Sequence, residues 1–200
     1  MSKTFAQILA YILHPVLMPT LGVAGIMALS PYYISKPVFL LTIFYVFMGT
    51  YILPSILIFS LWKLRIISSV HLENAKERRY PYLLTALFFY LTAISVKDFQ
   101  VPDTIAVYLF SGVLVIGISL VLLSFTKISA HMAGMGGLLA LTFYLSYNYS
   151  IELLFIISAI LLAAGLLGAA RLRLKAHSPL EVYLGFFLGL CSTLLVLFGI

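Results

Sequence analysis

Apolar residues lie in long runs along this chain, and its polar residues gather in the short stretches between them. A bilayer core is crossed by about 20 apolar residues in helical conformation, with a range near 17–25. Seven runs meet or approach that length, over residues 5–30, 37–62, 81–96, 104–126, 132–149, 153–170 and 182–199. The third is short. The first holds Pro15 and Pro19, and a proline inside a helix removes a backbone donor and crowds the preceding turn, so this run is expected to kink or divide. The pattern predicts an all-α polytopic transmembrane bundle of about seven spans, one integral membrane domain over residues 1–200, without internal repeats, low-complexity segments or a soluble domain.

Composition narrows the class further. Only 9% of the residues are charged and 63% are hydrophobic, against about 25% charged in soluble domains. The run after Lys3 outlasts a signal-peptide core and has no obvious small-residue cleavage site, so the first span is expected to stay in the mature protein. Cys191 is the single cysteine and lies in the last run, which gives neither a disulfide framework nor a metal cluster. The net charge is +6, yet no soluble fold exists to carry a nucleic-acid patch. The excess suits anionic headgroups or a phosphorylated substrate instead.

Threading seven spans alternately through the membrane sorts the polar residues. One face receives the N-terminus and the segments 63–80, 127–131 and 171–181. The other receives 31–36, 97–103, 148–152 and the C-terminus. Of the Lys and Arg residues, only Lys36 and Lys97 fall on the second face, whereas His71, His131 and His177 all fall on the first. That gathering points to one polar site.

Three clusters on this face carry candidate chemistry. The densest is Arg171-Leu172-Arg173-Leu174-Lys175-Ala176-His177-Ser178-Pro179-Leu180-Glu181. Glu181 stands one helical turn beyond His177, where a carboxylate can hold the imidazole in one tautomer. The same residues also read as a helix start, with Ser178 at the N-cap, Pro179 first and Glu181 closing a capping box, and the cations as a solvated anchoring loop. The second cluster, Lys127-Ile128-Ser129-Ala130-His131, precedes Ala133, Gly134, Gly136 and Gly137. These small residues let another helix approach and keep His131 near the loop above; the bland alternative is an interface histidine with one hydrogen bond. The third, Lys76-Glu77-Arg78-Arg79-Tyr80-Pro81, is cationic enough for a phosphate dianion, or is an anchoring loop ahead of a helix.

Together the clusters resemble the signature segments of the type 2 phosphatidic acid phosphatase superfamily, membrane lipid phosphatases related to vanadium haloperoxidases. That family carries Lys-x6-Arg-Pro, then Pro-Ser-Gly-His, then Ser-Arg-x5-His-x3-Asp. Ala170-Arg171, five residues, His177, three residues and Glu181 match the third, and Ile128-Ser129-Ala130-His131 the second. The first match is loose, since Lys76 is close to Arg79 and Tyr80 separates that Arg from Pro81. Ala170, Ala130, Ile128 and Glu181 stand where the family has Ser, Gly, Pro and Asp. The family also keeps its first two segments in one loop, whereas here two spans come between them.

The resemblance implies a haloperoxidase-like helical core and a phosphatase acting on a lipid phosphate or pyrophosphate. Lys76, Arg78 or Arg79, and Arg171 would clamp the phosphate oxygens, with Ser129 adding one hydrogen bond. His177 would attack phosphorus, Glu181 would hold its other ring nitrogen, and His131 would protonate the leaving alcohol and then activate water. No metal or cofactor is expected. The partners implied are an amphiphilic lipid phosphate and membrane lipids, with no nucleic acid; phosphatidic acid, phosphatidylglycerol phosphate, a polyprenyl pyrophosphate and a lipid A phosphate all fit. The oligomeric state is left open. The alternative is an inactive lipid-phosphate binder or transporter that keeps the pocket. The cation count leans toward a cytoplasmic site, whereas bacterial members of the family commonly act on the outer side of the inner membrane.

Overall fold

The computed structural model describes residues 1–69, 77 and 79–199. Among them are nine α-helices and no strand: α1 (Lys3–Ile12), α2 (Met18–Leu29), α3 (Lys36–Phe47), α4 (Leu53–Lys63), α5 (Arg79–Ser95), α6 (Thr104–Leu122), α7 (Ala130–Tyr149), α8 (Leu154–Arg173) and α9 (Pro179–Phe198). α1 with α2, and α3 with α4, each form one broken span, so the nine helices make seven traverses. The chain is an all-α polytopic bundle, and its outward side chains, such as Phe44, Phe155 and Leu162, are large and apolar as lipid contact requires.

Both breaks follow from proline. His14 has extended backbone, φ −68° and ψ 135°, the conformation imposed on a residue that precedes proline. α1 therefore stops, and a 3₁₀ turn over Pro15–Leu17 leads into α2. Between α3 and α4, Met48–Ile52 is a π-helical turn in which the Leu53 N–H donates to the Met48 carbonyl. Pro54 follows, and a widened turn relieves the clash a proline ring makes with the carbonyl four residues back, here that of Thr50.

Other boundaries depart from the apolar runs. α5 starts at Arg79 and continues through a 3₁₀ turn over Val96–Phe99, so the short third run is a longer helical traverse. α6 ends at Leu122, leaving residues 123–129 as a linker. α8 continues to Arg173, which puts Arg171 in a helix's last turn rather than a loop, where a cation faces the negative end of the helix dipole.

Six of the seven traverses are long and apolar enough to cross a membrane, and α7 is the exception. Its neighbours cover it instead of lipid. Met132, Met135, Leu139, Leu141 and Leu145 are among its buried residues, interleaved with Gly136 and Gly137. α9 packs against it backbone to backbone. A methyl group added at Gly185 would stand 2.5 Å from the Ser129 carbonyl oxygen, one at Gly189 would run into the Ala133 carbonyl, and one at Gly136 into that of Phe186. Small residues at such spacing are what permit helices to meet this closely in a membrane.

The bundle's two ends are distinct. At one, the Arg173 Nε–H donates to the Met1 carbonyl at 3.2 Å, close to the linker and loop that carry Lys127 and His177. At the other, Phe198 packs on Tyr144 and Tyr147, with ring centroids 5.2 and 5.6 Å apart. Reporters fused before Met1 and after Ile200 are thus expected on opposite sides of the membrane. Both on one side would mean that one traverse does not cross.

The α7–α9 contact makes a second prediction. Gly189→Ala should destabilise the protein by about 1–3 kcal/mol, the usual cost of forcing extra atoms into a packed interior. Gly165, where an added methyl meets nothing within 4 Å, is the control. Thermal unfolding in detergent should show a lower midpoint for Gly189→Ala and none for Gly165→Ala.

Candidate functional site

The site begins with the first turn of α9. Ser178 caps the helix and accepts from the Glu181 N–H at 3.4 Å, while the Glu181 Oε2 accepts from the Ser178 N–H at 2.9 Å. The capping box read from the sequence is therefore present. It does not exhaust Glu181. Oε2 also meets His177 Nδ1 at 3.1 Å, and Oε1 accepts from the Lys127 backbone N–H at 3.3 Å. Two residues on, the Ser129 N–H donates to the Glu181 backbone carbonyl at 3.2 Å. Cap and orienting carboxylate are the same group, and it ties the α8–α9 loop to the α6–α7 linker.

These contacts fix the state of His177. Its Nδ1 faces two acceptors, the Glu181 Oε2 and the Lys127 carbonyl at 3.0 Å, so Nδ1 carries the hydrogen and Nε2 holds the lone pair. The side chain is only 4% exposed. Burial, and then the nearby Arg171 guanidinium, lower its pKa from the ordinary imidazole value, while Glu181 pulls in the opposite direction. The result is a neutral imidazole with one basic nitrogen, next to a cation.

His131, at the start of α7, is held by α1. Its Nε2–H donates to the Ala10 carbonyl at 3.1 Å, one of the last carbonyls of α1, which a helix end leaves without an intrahelical partner. His14 stands edge-on to it with ring centroids 5.2 Å apart. Arg171 acts electrostatically on His14, His131 and His177 alike. His14 is the functional candidate that sequence reasoning passed over, because it lies within an apolar run. The His14-Pro15 pair was the available signal, since it marks where the helix must open.

A cavity of about 860 Å³ joins these groups, and Lys127, His131, Arg171, Lys175, His177 and His14 all line it. Among the described residues its lining contains cations and histidines but no carboxylate, a setting for an anion. Other sequence candidates are placed elsewhere. Ser129 is fully buried off the cavity wall, and its Oγ has no hydrogen-bond partner among the described residues; Gly185 of α9 lies against its carbonyl. Arg79 is exposed at the start of α5, outside the lining, although Pro81 and Tyr82 two and three residues on belong to it. Lys76, Arg78 and His71 lie outside the described residues. Among the described residues no three His, Cys, Asp or Glu side chains gather as a metal site would require.

Comparison of the chain with protein-family models, with curated proteins and with solved structures finds no match.

The geometry of the site predicts a titration. The His177 ring, followed by NMR of labelled histidine, should lose its proton below the ordinary value of about 6.5. A carboxylate favours the imidazolium, so Glu181→Gln should move the midpoint lower still. An unchanged midpoint in Glu181→Gln would reduce Glu181 to a helix cap.

Proposed function

We propose that this chain is a membrane-embedded phosphatase that hydrolyses a lipid phosphate or pyrophosphate through a phosphohistidine intermediate, at one face of a bacterial inner membrane. The observation that carries this reading is His177, whose Nδ1 is fixed by Glu181 and the Lys127 carbonyl beside a cavity walled by cations. A neutral imidazole with its lone pair on Nε2 is a nucleophile, and a guanidinium at its side can hold a phosphoryl oxygen through paired hydrogen bonds.

The steps follow from charge and position. Arg171, with Lys127 and Lys175 on the same wall, neutralises the phosphoryl oxygens and aligns the phosphorus. His177 Nε2 forms an N–P bond as the bond from phosphorus to the alcohol oxygen breaks. Positive charge then builds on the ring, and Glu181 stabilises it across Nδ1–H. His131, entering as the imidazolium with its Nε2–H on the Ala10 carbonyl, gives the Nδ1 proton to the departing alcohol and afterwards takes one back from the water that cleaves the N–P bond, releasing phosphate and restoring His177. The Ala10 carbonyl and His14 keep the His131 ring in place for both transfers.

A binder without turnover is the second reading. It is favoured by Ser129, whose hydroxyl is buried away from the cavity, and by Ala170, fully buried where the resembled family has a serine. Phosphate release from short-chain phosphatidic acid by the purified protein separates the two readings directly.

The two histidines should fail differently. His177→Ala is expected to abolish the acid-labile phosphoprotein seen on trapping with labelled substrate. His131→Ala should slow turnover of an alkyl phosphate by about 10²–10⁴-fold, the usual contribution of a general acid. It should affect nitrophenyl phosphate far less, since that leaving group needs no proton. Full activity in His177→Ala would overturn the mechanism.

A further inference from the structure

The cavity is larger than a phosphate site needs. At about 860 Å³ it approaches the upper end of the roughly 300–1,000 Å³ range of small-molecule pockets. Among the described residues its cations stand at one end, on the α6–α7 linker, the end of α8 and the α8–α9 loop. Away from that mouth the wall contains, among the described residues, Phe89, Tyr108, Leu109, Gly112 and Val115 and no charged side chain. On α6 the lining runs from Ser119 to Tyr108, about 16 Å of helix at roughly 1.5 Å per residue. That is close to half of the ~30 Å hydrocarbon core, the depth one leaflet's chains occupy.

Four of the hydroxyls along this wall are turned into the protein. Thr50 donates to the Val46 carbonyl at 2.8 Å, Ser119 to that of Val115 at 2.7 Å, Ser111 to that of Tyr108 at 2.7 Å, and Tyr108 to that of Met18 at 3.2 Å. Ser111 and Thr193 lie 3.2 Å apart. With their hydrogens directed at helix carbonyls, these groups offer no row of donors along the cavity for a polar occupant. Among the described residues α1 packs on α8 and α4 on α5, and α1 and α4, which both line the cavity, are not a closely packed pair.

We propose that this inner part of the cavity receives one hydrocarbon chain of the lipid phosphate, drawn from the bilayer between α1 and α4 and laid along α6 with its end at Phe89 and Tyr108. The proposal rests on the phosphatase reading for the identity of the head group. The substrate class it names is a lipid phosphate whose chain leaves the membrane to enter the bundle, rather than one held by its head group alone while its chain stays in the leaflet.

The test uses a single-chain alkyl phosphonate with a diazirine at its terminal carbon, added to the full protein in lipid nanodiscs and photolysed. A phosphonate is not hydrolysed, so labelling is independent of turnover. Adducts are expected on Phe89 and on residues 108–112, and moving the diazirine toward the phosphonate should shift them along α6 toward Ser119. Val115→Trp, which fills the cavity midway, should lower the inner labelling at least about ten-fold, the effect of denying burial to two or more methylenes. Adducts confined to lipid-facing residues such as Phe44, Phe155 and Leu162, or adducts that do not follow the diazirine, would overturn the proposal. Inner labelling in a protein that releases no phosphate from short-chain phosphatidic acid would uphold the chain site and end the phosphatase reading.

Discussion

One carboxylate holds the polar end of this bundle together. Glu181 takes hydrogen bonds from its own helix cap, from the His177 ring and from the linker before α7, and its backbone carbonyl takes another from Ser129. Hydrogen bonds to a charged group are worth about 1.5–3 kcal/mol each where water is scarce, and this side chain is 19% exposed. Two segments separated by α7 and α8 in sequence are thereby fixed at a distance that suits one imidazole between them. The position of His177 is a consequence of that clamp, and so is the nitrogen on which it carries its hydrogen.

The cavity has a different origin, in imperfect helices. An unbroken first span would keep the Ala10 carbonyl inside the helix ladder and His14 on a continuous helical face. Pro15 ends α1 early, exposes the carbonyl that orients His131, and brings His14 beside it. Pro54 and the π turn before it set Thr50 and Pro54 on the same cavity wall. Opposite these breaks, α7 and α9 are as close as backbones allow, with Gly185 and Gly189 against carbonyls. Tight packing on one side and proline-made openings on the other leave a hole in the middle.

Much of this was legible in the sequence. Spans show themselves because hydrocarbon demands long apolar runs, and the small residues after His131 announced a close helix. The spacing of His177 and Glu181 announced their contact, since four residues make one helical turn. Ser129 was misleading because its motif position says nothing about burial: the approach of α9 encloses it. Arg79 could not be judged because α5 carries it, and only the helix's rotation decides which of Arg79, Pro81 and Tyr82 faces the cavity. His14 was hidden by hydropathy, which averages one histidine away among apolar neighbours.

The low apolarity of α7 bears on how the protein is made. A helix carrying Gly134, Gly136, Gly137 and His131 gains little by partitioning into lipid on its own, and its proper surroundings include α9, which the ribosome delivers after it. During synthesis α7 must therefore be retained by the insertion machinery or sheltered by α2 and α6 until α9 arrives. Because α9 also brings Glu181, the bundle's least lipid-compatible helix and its polar site are completed in the same event, and a chain released before that point would have neither.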